Sequence, residues 1–323
     1  VDSYFPVTKS FLSNDGLARE IEVAYGLLSV RCQLITASMR DVYLVTANER
    51  RYILFIYRHN QHTRDEIEAE WRFVDYLNAN GVPVAPAISM KSGECVLTFP
   101  APEGIRYGVL TTFVEGKHLR QRPSLEAARA YGRIVAQIHV VSDAMPDTLS
   151  RPAHDVDLWL RRSIAAFVVE VPERAADIAY LHQCAAALRS KINELPKEKP
   201  RYGMIHGDVI RANAQVADDG QVTILDFDLC GPGWRAYDIA SYLIAIRGAP
   251  EEAGSERAFL SGYQEVRSLT QVEQEAIPLF EAARAIFSIG VPAMNIYHWG
   301  SAYFHAFLDH SLERLKRSME KVI

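Results

Sequence analysis

The chain has little of what marks a secreted, membrane or nucleic-acid-binding protein. Its 323 residues include four cysteines: Cys32, Cys95, Cys184 and Cys230. These stand too far apart for a Cys-x-x-Cys pair, which argues against a structural zinc site and a disulfide framework. Single buried thiols fit a reducing compartment, so a cytoplasmic location is expected. No apolar run approaches the roughly 20 residues that cross a bilayer. The opening Val-Asp-Ser-Tyr-Phe-Pro shows neither the basic flank nor the apolar core of a signal peptide. Basic charge is also scarce, with 35 Lys and Arg against 40 Asp and Glu and a net charge of −5. Nucleic acids and anionic membranes select basic surfaces, so neither is expected as a partner. Internal repeats and low-complexity linkers are missing too.

What is present is an ordinary globular composition, 49% hydrophobic and 23% charged, on a chain long enough for two substantial cores. Residues 14–26 read as a helix. Residues 33–45 and 51–58 read as β-rich runs, joined by a turn at Asn48-Glu49-Arg50. A helix is predicted over 64–80, with Ile67, Trp71, Val74 and Leu77 on one stripe and Asn80-Gly81 as its stop. Strand-like runs follow at 94–99 and 107–113. Beyond Glu115-Gly116 the texture turns helical over 124–142, most of 156–195, 269–289 and 300–321. Residues 204–228 interrupt it with strands around an Asp218-Asp219-Gly220 turn. The expected fold is α+β, with a small β-rich lobe over 1–111 and a large, mainly helical lobe over 112–323.

Chemistry concentrates at 204–228. His206-Gly207-Asp208 is followed by Asn213 five residues after the acid, and Ile224-Leu225 by Asp226-Phe227-Asp228. Phosphoryl transfer asks little of a protein beyond a base facing the acceptor hydroxyl, oxygen ligands for Mg²⁺ and a cradle for the phosphates. Asp208 suits the base. Asn213 and Asp226 supply hard oxygens, and the turn at Gly220 folds one back towards the other.

The pattern His-Gly-Asp-x-x-x-x-Asn, an apolar strand and Asp-Phe-Asp resembles the catalytic loop and metal motif of the aminoglycoside phosphotransferase family. Choline kinases and type II homoserine kinases belong to the same wider group. The resemblance implies a bilobal, protein kinase-like fold and an enzyme that moves the γ-phosphate of ATP or GTP to a hydroxyl of a small molecule. It implies Asp208 as base and Mg²⁺ on Asn213 and Asp226, with Asp228 on the metal or just behind it. Trp234-Arg235-Ala236-Tyr237-Asp238-Ile239-Ala240 extends the likeness, and there Asp238 and His206 support the catalytic loop. Thr111-Thr112-Phe113-Val114-Glu115-Gly116 resembles the interlobe hinge. By that match, Thr112 offers its carbonyl and Val114 its amide to the nucleotide base. The helix containing His139 reads as core.

One departure stands out. Where the family carries a Lys or Arg on its third strand, this chain has Phe55. Arg58 is three residues on and points to the other face of a strand. Glu70, the expected partner of that cation, falls on the apolar stripe of its helix, where a carboxylate is costly unless paired. Arg40, in the turn Ala37-Ser38-Met39-Arg40-Asp41, is the candidate to pair with it and to meet the nucleotide phosphates. The missing strand cation also leaves room for a nucleotide-binding pseudokinase, or a protein kinase of the same fold.

The acceptor side is less marked. Charge over 111–323 is nearly balanced, which fits a neutral, zwitterionic or aromatic acceptor better than a polycation. Asp155, Trp159, Trp234, Trp299 and Tyr303 are candidates to line its pocket. Asp155 and Asp157 are equally suited to capping a helix that begins near Leu158.

Overall fold

The computed structural model describes residues 5, 7–145 and 149–322, which divide into two compact units. The first holds the described residues up to Glu115 together with 149–151. The second runs from Gly116 to 145 and from Pro152 onward.

The first unit opens with α1 (Asn14–Tyr25), then β1 (Arg31–Ala37), β2 (Asp41–Ala47), β3 (Arg50–Ile56), α2 (Arg64–Ala79), β4 (Val96–Ala101) and β5 (Gly104–Thr112). The strands form an antiparallel sheet in the order β1-β2-β3-β5-β4. The β-run read over 33–45 is thus two strands folded at Ser38–Arg40. Between β2 and β3, Asn48 and Glu49 both take positive φ, 49° and 62°, so the tight turn matches the twist of its strands. Leu54 and Ile56 alternate onto the face where Tyr43, Val45 and the α1 residues Leu17 and Ile21 form a core. Phe55 and Tyr57 take the opposite face, where Phe55 stacks on Trp71 of α2 at 6.0 Å. α2 begins at a complete capping box, Thr63 with Glu66.

The second unit contains β6 (Lys117–His118), α3 (Leu125–Asp143), α4 (Val156–Glu170), α5 (Ala175–Asn193), β7 (Tyr202–Ile205), β8 (Ala214–Val216), β9 (Val222–Ile224) and β10 (Gly231–Trp234). Helices α6 (Arg235–Ile246), α7 (Glu252–Gln264), α8 (Gln271–Met294), α9 (Ile296–Trp299) and α10 (Ser301–Met319) complete it. Two small sheets, β6-β8-β9 and β7-β10, carry the loops of interest. α8 packs against α4, α6 and α10, and its Phe280, Ile286 and Ile289 join Leu160, Phe167, Phe304 and Leu312 in one core.

α8 corrects one expectation. By length and composition it is apolar enough to cross a bilayer, with a mean hydropathy of 1.3 over its most apolar window, of which 61% is buried inside the protein. Its apolar character is that of a central core helix.

α3 and α7 approach unusually closely. A Cβ on Gly132 would lie 2.0 Å from the Phe259 carbonyl oxygen, and one on Gly262 1.9 Å from that of Arg129. The crossing requires a residue without a side chain on both helices.

Candidate active site

β7, held by its pairing with β10, delivers the chain into His206-Gly207-Asp208. The loop is fixed from below by Asp238, in the first turn of α6 and fully buried. Its Oδ2 accepts the His206 N–H and its Oδ1 the Gly207 N–H, both at 2.8 Å. His139 of α3 lies 3.0 Å away through Nε2, and its Nδ1 is 2.8 Å from the Tyr263 hydroxyl. Burial, with the Arg235 cation nearby, pushes the His139 pKa down to about 4. The ring is therefore neutral at pH 7: Nε2 donates to Asp238 and Nδ1 accepts from Tyr263. Burial alone would raise the Asp238 carboxyl, but its hydrogen bonds to His139 and to the loop hold it below its ordinary value.

His206 ties the loop to the next motif. Its Nδ1 accepts the Asp208 N–H at 3.2 Å, so Nε2 carries the proton and donates to the Leu225 carbonyl at 3.0 Å. Gly207 has φ 82°, and a Cβ there would lie 2.3 Å from the Leu229 carbonyl oxygen. Only glycine fits that position.

Asn213 ends the 3₁₀ turn Arg211–Asn213. Its Nδ2 donates to the Asp208 carbonyl at 3.0 Å and to Asp208 Oδ2 at 2.8 Å. The hairpin β8–β9 pairs Ala214 with Ile224, and the Leu225 N–H extends the ladder to the Asn213 carbonyl at 2.8 Å. The backbone thus brings Asp226 next to Asn213. Asp226 is exposed, with φ 66°, a left-handed conformation that non-glycine residues seldom adopt and that often marks functional sites. Asp228 follows, 7% exposed. With Nδ2 committed to Asp208, Asn213 is left with Oδ1 for a cation. That oxygen and two carboxylates make a hard donor set, which fits Mg²⁺ better than softer metals. Among the described residues no cluster of three His, Cys, Asp or Glu side chains is placed to bind a metal by itself.

The other oxygen of Asp208 is held as well. Arg284, in the buried middle of α8, donates from Nη2 to Asp208 Oδ1 and from Nη1 to the Tyr237 hydroxyl at 3.4 Å. Its guanidinium lies 4.6 Å from the Phe287 ring centre. Burial works against the charge of Arg284, but the Asp208 carboxylate outweighs it and raises the pKa. Rings continue outward from this pair: Trp159 meets Phe287 edge-on at 4.9 Å, and His154 lies between Trp159 and Tyr237 at 5.8 and 4.6 Å.

In the first unit, Arg40 and Glu70 form the ion pair expected of them, Nη1 to Oε1 at 3.2 Å, with both side chains buried. Tyr57 joins it, accepting from Arg40 at 3.1 Å and from Trp71 Nε1 at 3.0 Å while donating to Glu70 Oε2 at 3.0 Å. The Arg40 guanidinium rests 4.4 Å from the Phe55 ring centre. Phe55 thus supplies a platform for a cation that arrives from the turn instead of from the strand. Arg151 adds a second guanidinium, 3.9 Å from Glu70 Oε2, and donates to the Glu66 carbonyl. Arg58 donates to the Ser38 carbonyl of the same turn. Thr112 closes β5, its N–H on the Pro86 carbonyl at 3.2 Å, and Val114 lies in the irregular stretch after it.

The remaining candidates separate. Trp159 belongs to the ring cluster beside Asp208. Asp155 is the N-cap of α4 and accepts the Leu158 N–H at 3.0 Å, so capping is the role its geometry supports. Trp234 is buried in the helical core against Phe280 and Tyr202. Trp299 meets Tyr303 edge-on, and Tyr303 meets the half-exposed Phe307 at a tilt, along α9 and α10; among the described residues no ring contact joins them to the Asp208 cluster. Arg284, His154 and Phe287 lie outside the motifs, while Tyr237 stands in one and His139 on a helix read as core, neither with a role at the site expected from the sequence. Arg284 did leave a signal, a charge inside the apolar run Ala282-Ala283-Arg284-Ala285-Ile286-Phe287.

The sequence profile of the phosphotransferase enzyme family matches residues 33–271. The chain belongs to that family. It is a small-molecule kinase in that sense, with the α+β, protein kinase-like fold expected from its motifs. Among family relatives, an uncharacterized protein of Deinococcus radiodurans is 30% identical over 303 residues, 92% of this chain and 87% of its own length. A homoserine kinase of Xanthobacter autotrophicus is 28% identical over 251 residues, 76% of this chain and 74% of its own. Among solved structures, amicoumacin kinase hAmiN in complex with AMP-PNP, Ca²⁺ and Ami superposes with a TM-score of 0.79 at 19% identity. That match covers 95% of this chain and 94% of the other, and at this identity the likeness bears on the fold.

Proposed function

We propose that this kinase moves the γ-phosphoryl group of ATP or GTP to the hydroxyl of a small neutral or zwitterionic molecule. Asp208 acts as the base, and Asn213 and Asp226 hold Mg²⁺, with Asp228 on the metal or behind it. The observation that carries this reading is the fixation of Asp208. Its loop is pinned by Asp238 and His206, and one carboxylate oxygen is held by Asn213 at 2.8 Å. A base oriented by its own neighbours meets the acceptor hydroxyl without reorganising. When bound, Mg²⁺ neutralises and orients the nucleotide phosphates.

The first unit is the nucleotide side in this reading. The Arg40–Glu70 pair over Phe55 supplies the cation that the strand lacks, and Thr112 and Val114 meet the base through their main chain. A buried arginine paired with Glu70 supports turnover over a nucleotide-binding pseudokinase, the reading that Phe55 leaves open. The second unit provides base, metal ligands and acceptor walls, with Trp159 among the latter. Arg284 balances the charge of Asp208, so the site does not favour a polycation.

The test is to supply Mg²⁺-ATP or Mg²⁺-GTP with L-homoserine, 1-amino-2-propanol, choline and kanamycin, and to follow nucleoside diphosphate. Turnover is expected with L-homoserine, the zwitterion of the panel, ahead of the singly charged cations 1-amino-2-propanol and choline and of the polycation kanamycin. Absence of turnover with every acceptor, and of any nucleotide-dependent rise in melting temperature, would overturn the proposal.

A further inference from the structure

Arg284 occupies a position that support of the fold does not explain. It stands in the buried run of α8, is 8% exposed, and spends its Nη2 on the carboxylate assigned as the base. Asp208 is therefore held at both oxygens, by Asn213 on Oδ2 and by Arg284 on Oδ1. The Asn213 amide alone would fix the carboxylate's direction. A desolvated cation is a costly way to add a second restraint.

The charge balance of the reaction gives the cation a purpose. Before transfer, Asp208 and Arg284 form a neutral pair. In the transfer, the acceptor oxygen forms its bond to phosphorus. The bond from phosphorus to the bridging oxygen of the nucleoside diphosphate breaks, and its electron pair stays on that oxygen. The hydroxyl proton passes to Asp208. That proton cancels the carboxylate's charge and leaves the buried guanidinium unmatched, just as the phosphoryl oxygens reach the acceptor atom that Asp208 had held.

We propose that Arg284 is a catalytic residue that restrains Asp208 before transfer and pairs with the transferred phosphoryl group as Asp208 takes up the proton. This inference rests on the reading of Asp208 as the base. It differs from a role in acceptor binding, because the phosphoryl group is what Arg284 recognises.

The test uses the full chain with the best acceptor of the panel above and its phosphorylated product. Arg284→Gln is expected to lower kcat by about 10²- to 10³-fold, the effect of removing one preorganised charge-stabilising group. The KM values for acceptor and nucleotide should stay within about threefold, while the product's inhibition constant rises roughly tenfold. Arg284→Lys, which keeps the charge, should recover part of kcat and of product affinity. If Arg284→Gln does not fold, as judged by melting temperature and nucleotide binding, the lysine variant and rescue of Arg284→Ala by added guanidinium decide by the same readouts. A raised acceptor KM with kcat preserved would make Arg284 an acceptor anchor and overturn the inference. So would a loss of kcat with unchanged product affinity, which would reduce Arg284 to a restraint on Asp208. Wild-type turnover that persists in Arg284→Gln defeats this inference alone, whereas a wild type inactive on the whole panel defeats the phosphotransfer reading with it.

Discussion

Asp208 is held by four neighbours of different chemistry: an amide on one oxygen, a guanidinium on the other, an imidazole on its N–H and a carboxylate under its loop. Its replacement therefore has two separable effects. Asp208→Asn keeps the size and most of the restraints, and turnover is expected to fall by about 10²- to 10⁴-fold with nucleotide affinity nearly intact. Asp226→Ala should weaken Mg²⁺-nucleotide binding as well. Titrating both variants with Mg²⁺-nucleotide separates the roles, and equal losses of affinity would refute the assignment. His139 yields a prediction in pH. Its pKa falls from 6.5 to about 4 in the fold, so the unfolded chain binds the extra proton between those values. Stability is unaffected by this group above pH 6.5 and falls as pH drops from there to about 4, by on the order of 3 kcal/mol. Asp238 adds its own loss lower still, below its ordinary pKa, because its folded value is depressed. Melting temperatures of wild type and His139→Gln between pH 7 and 4 provide the check. An equally steep decline in the variant would remove His139 as the cause.

At the scale of elements, local signals and long-range packing were not equally legible. The stop at Asn80-Gly81, the turn at Asn48-Glu49 and the hairpin through Gly220 are short-range chemistry and stand where the sequence puts them. Glu70 was readable because it breaks an apolar stripe. Arg284 breaks one in the same way, but α8 is apolar nearly all round, so no face stood out to say where its charge points. His154, Tyr237 and Phe287 meet Trp159 only through the packing of α4, α6 and α8, which no spacing along the chain encodes. The same limit applies to Trp234, whose place after the metal strand suggests a pocket while its ring packs into the core. The α3–α7 crossing gives a direct prediction. Gly262→Ala would press a methyl into the Arg129 carbonyl at 1.9 Å and should cost about 1–3 kcal/mol as the helices part. An unchanged denaturation midpoint would show that the helices have room to move.

At the scale of the molecule, the proposed labour is divided between two cores. Arg40 and Glu70 lie in one unit, and Asp208, Asn213 and Asp226 in the other. Arg40→Gln is therefore expected to raise the nucleotide KM by roughly tenfold or more while leaving the acceptor KM nearly unchanged. Steady-state kinetics with each substrate varied in turn tests this, and a matched rise in both constants would contradict the division. The units are not strung like beads, because residues 149–151 belong to the first although α3 before them and α4 after them belong to the second. Glu70 thus has a second arginine, Arg151, which is encoded some eighty codons downstream. A chimaera joined once near residue 115 would take the acid and Arg40 from one parent and the second arginine, Arg151, from the other. Recombination among relatives can exchange this first unit intact only by a double crossover that carries the short return segment along.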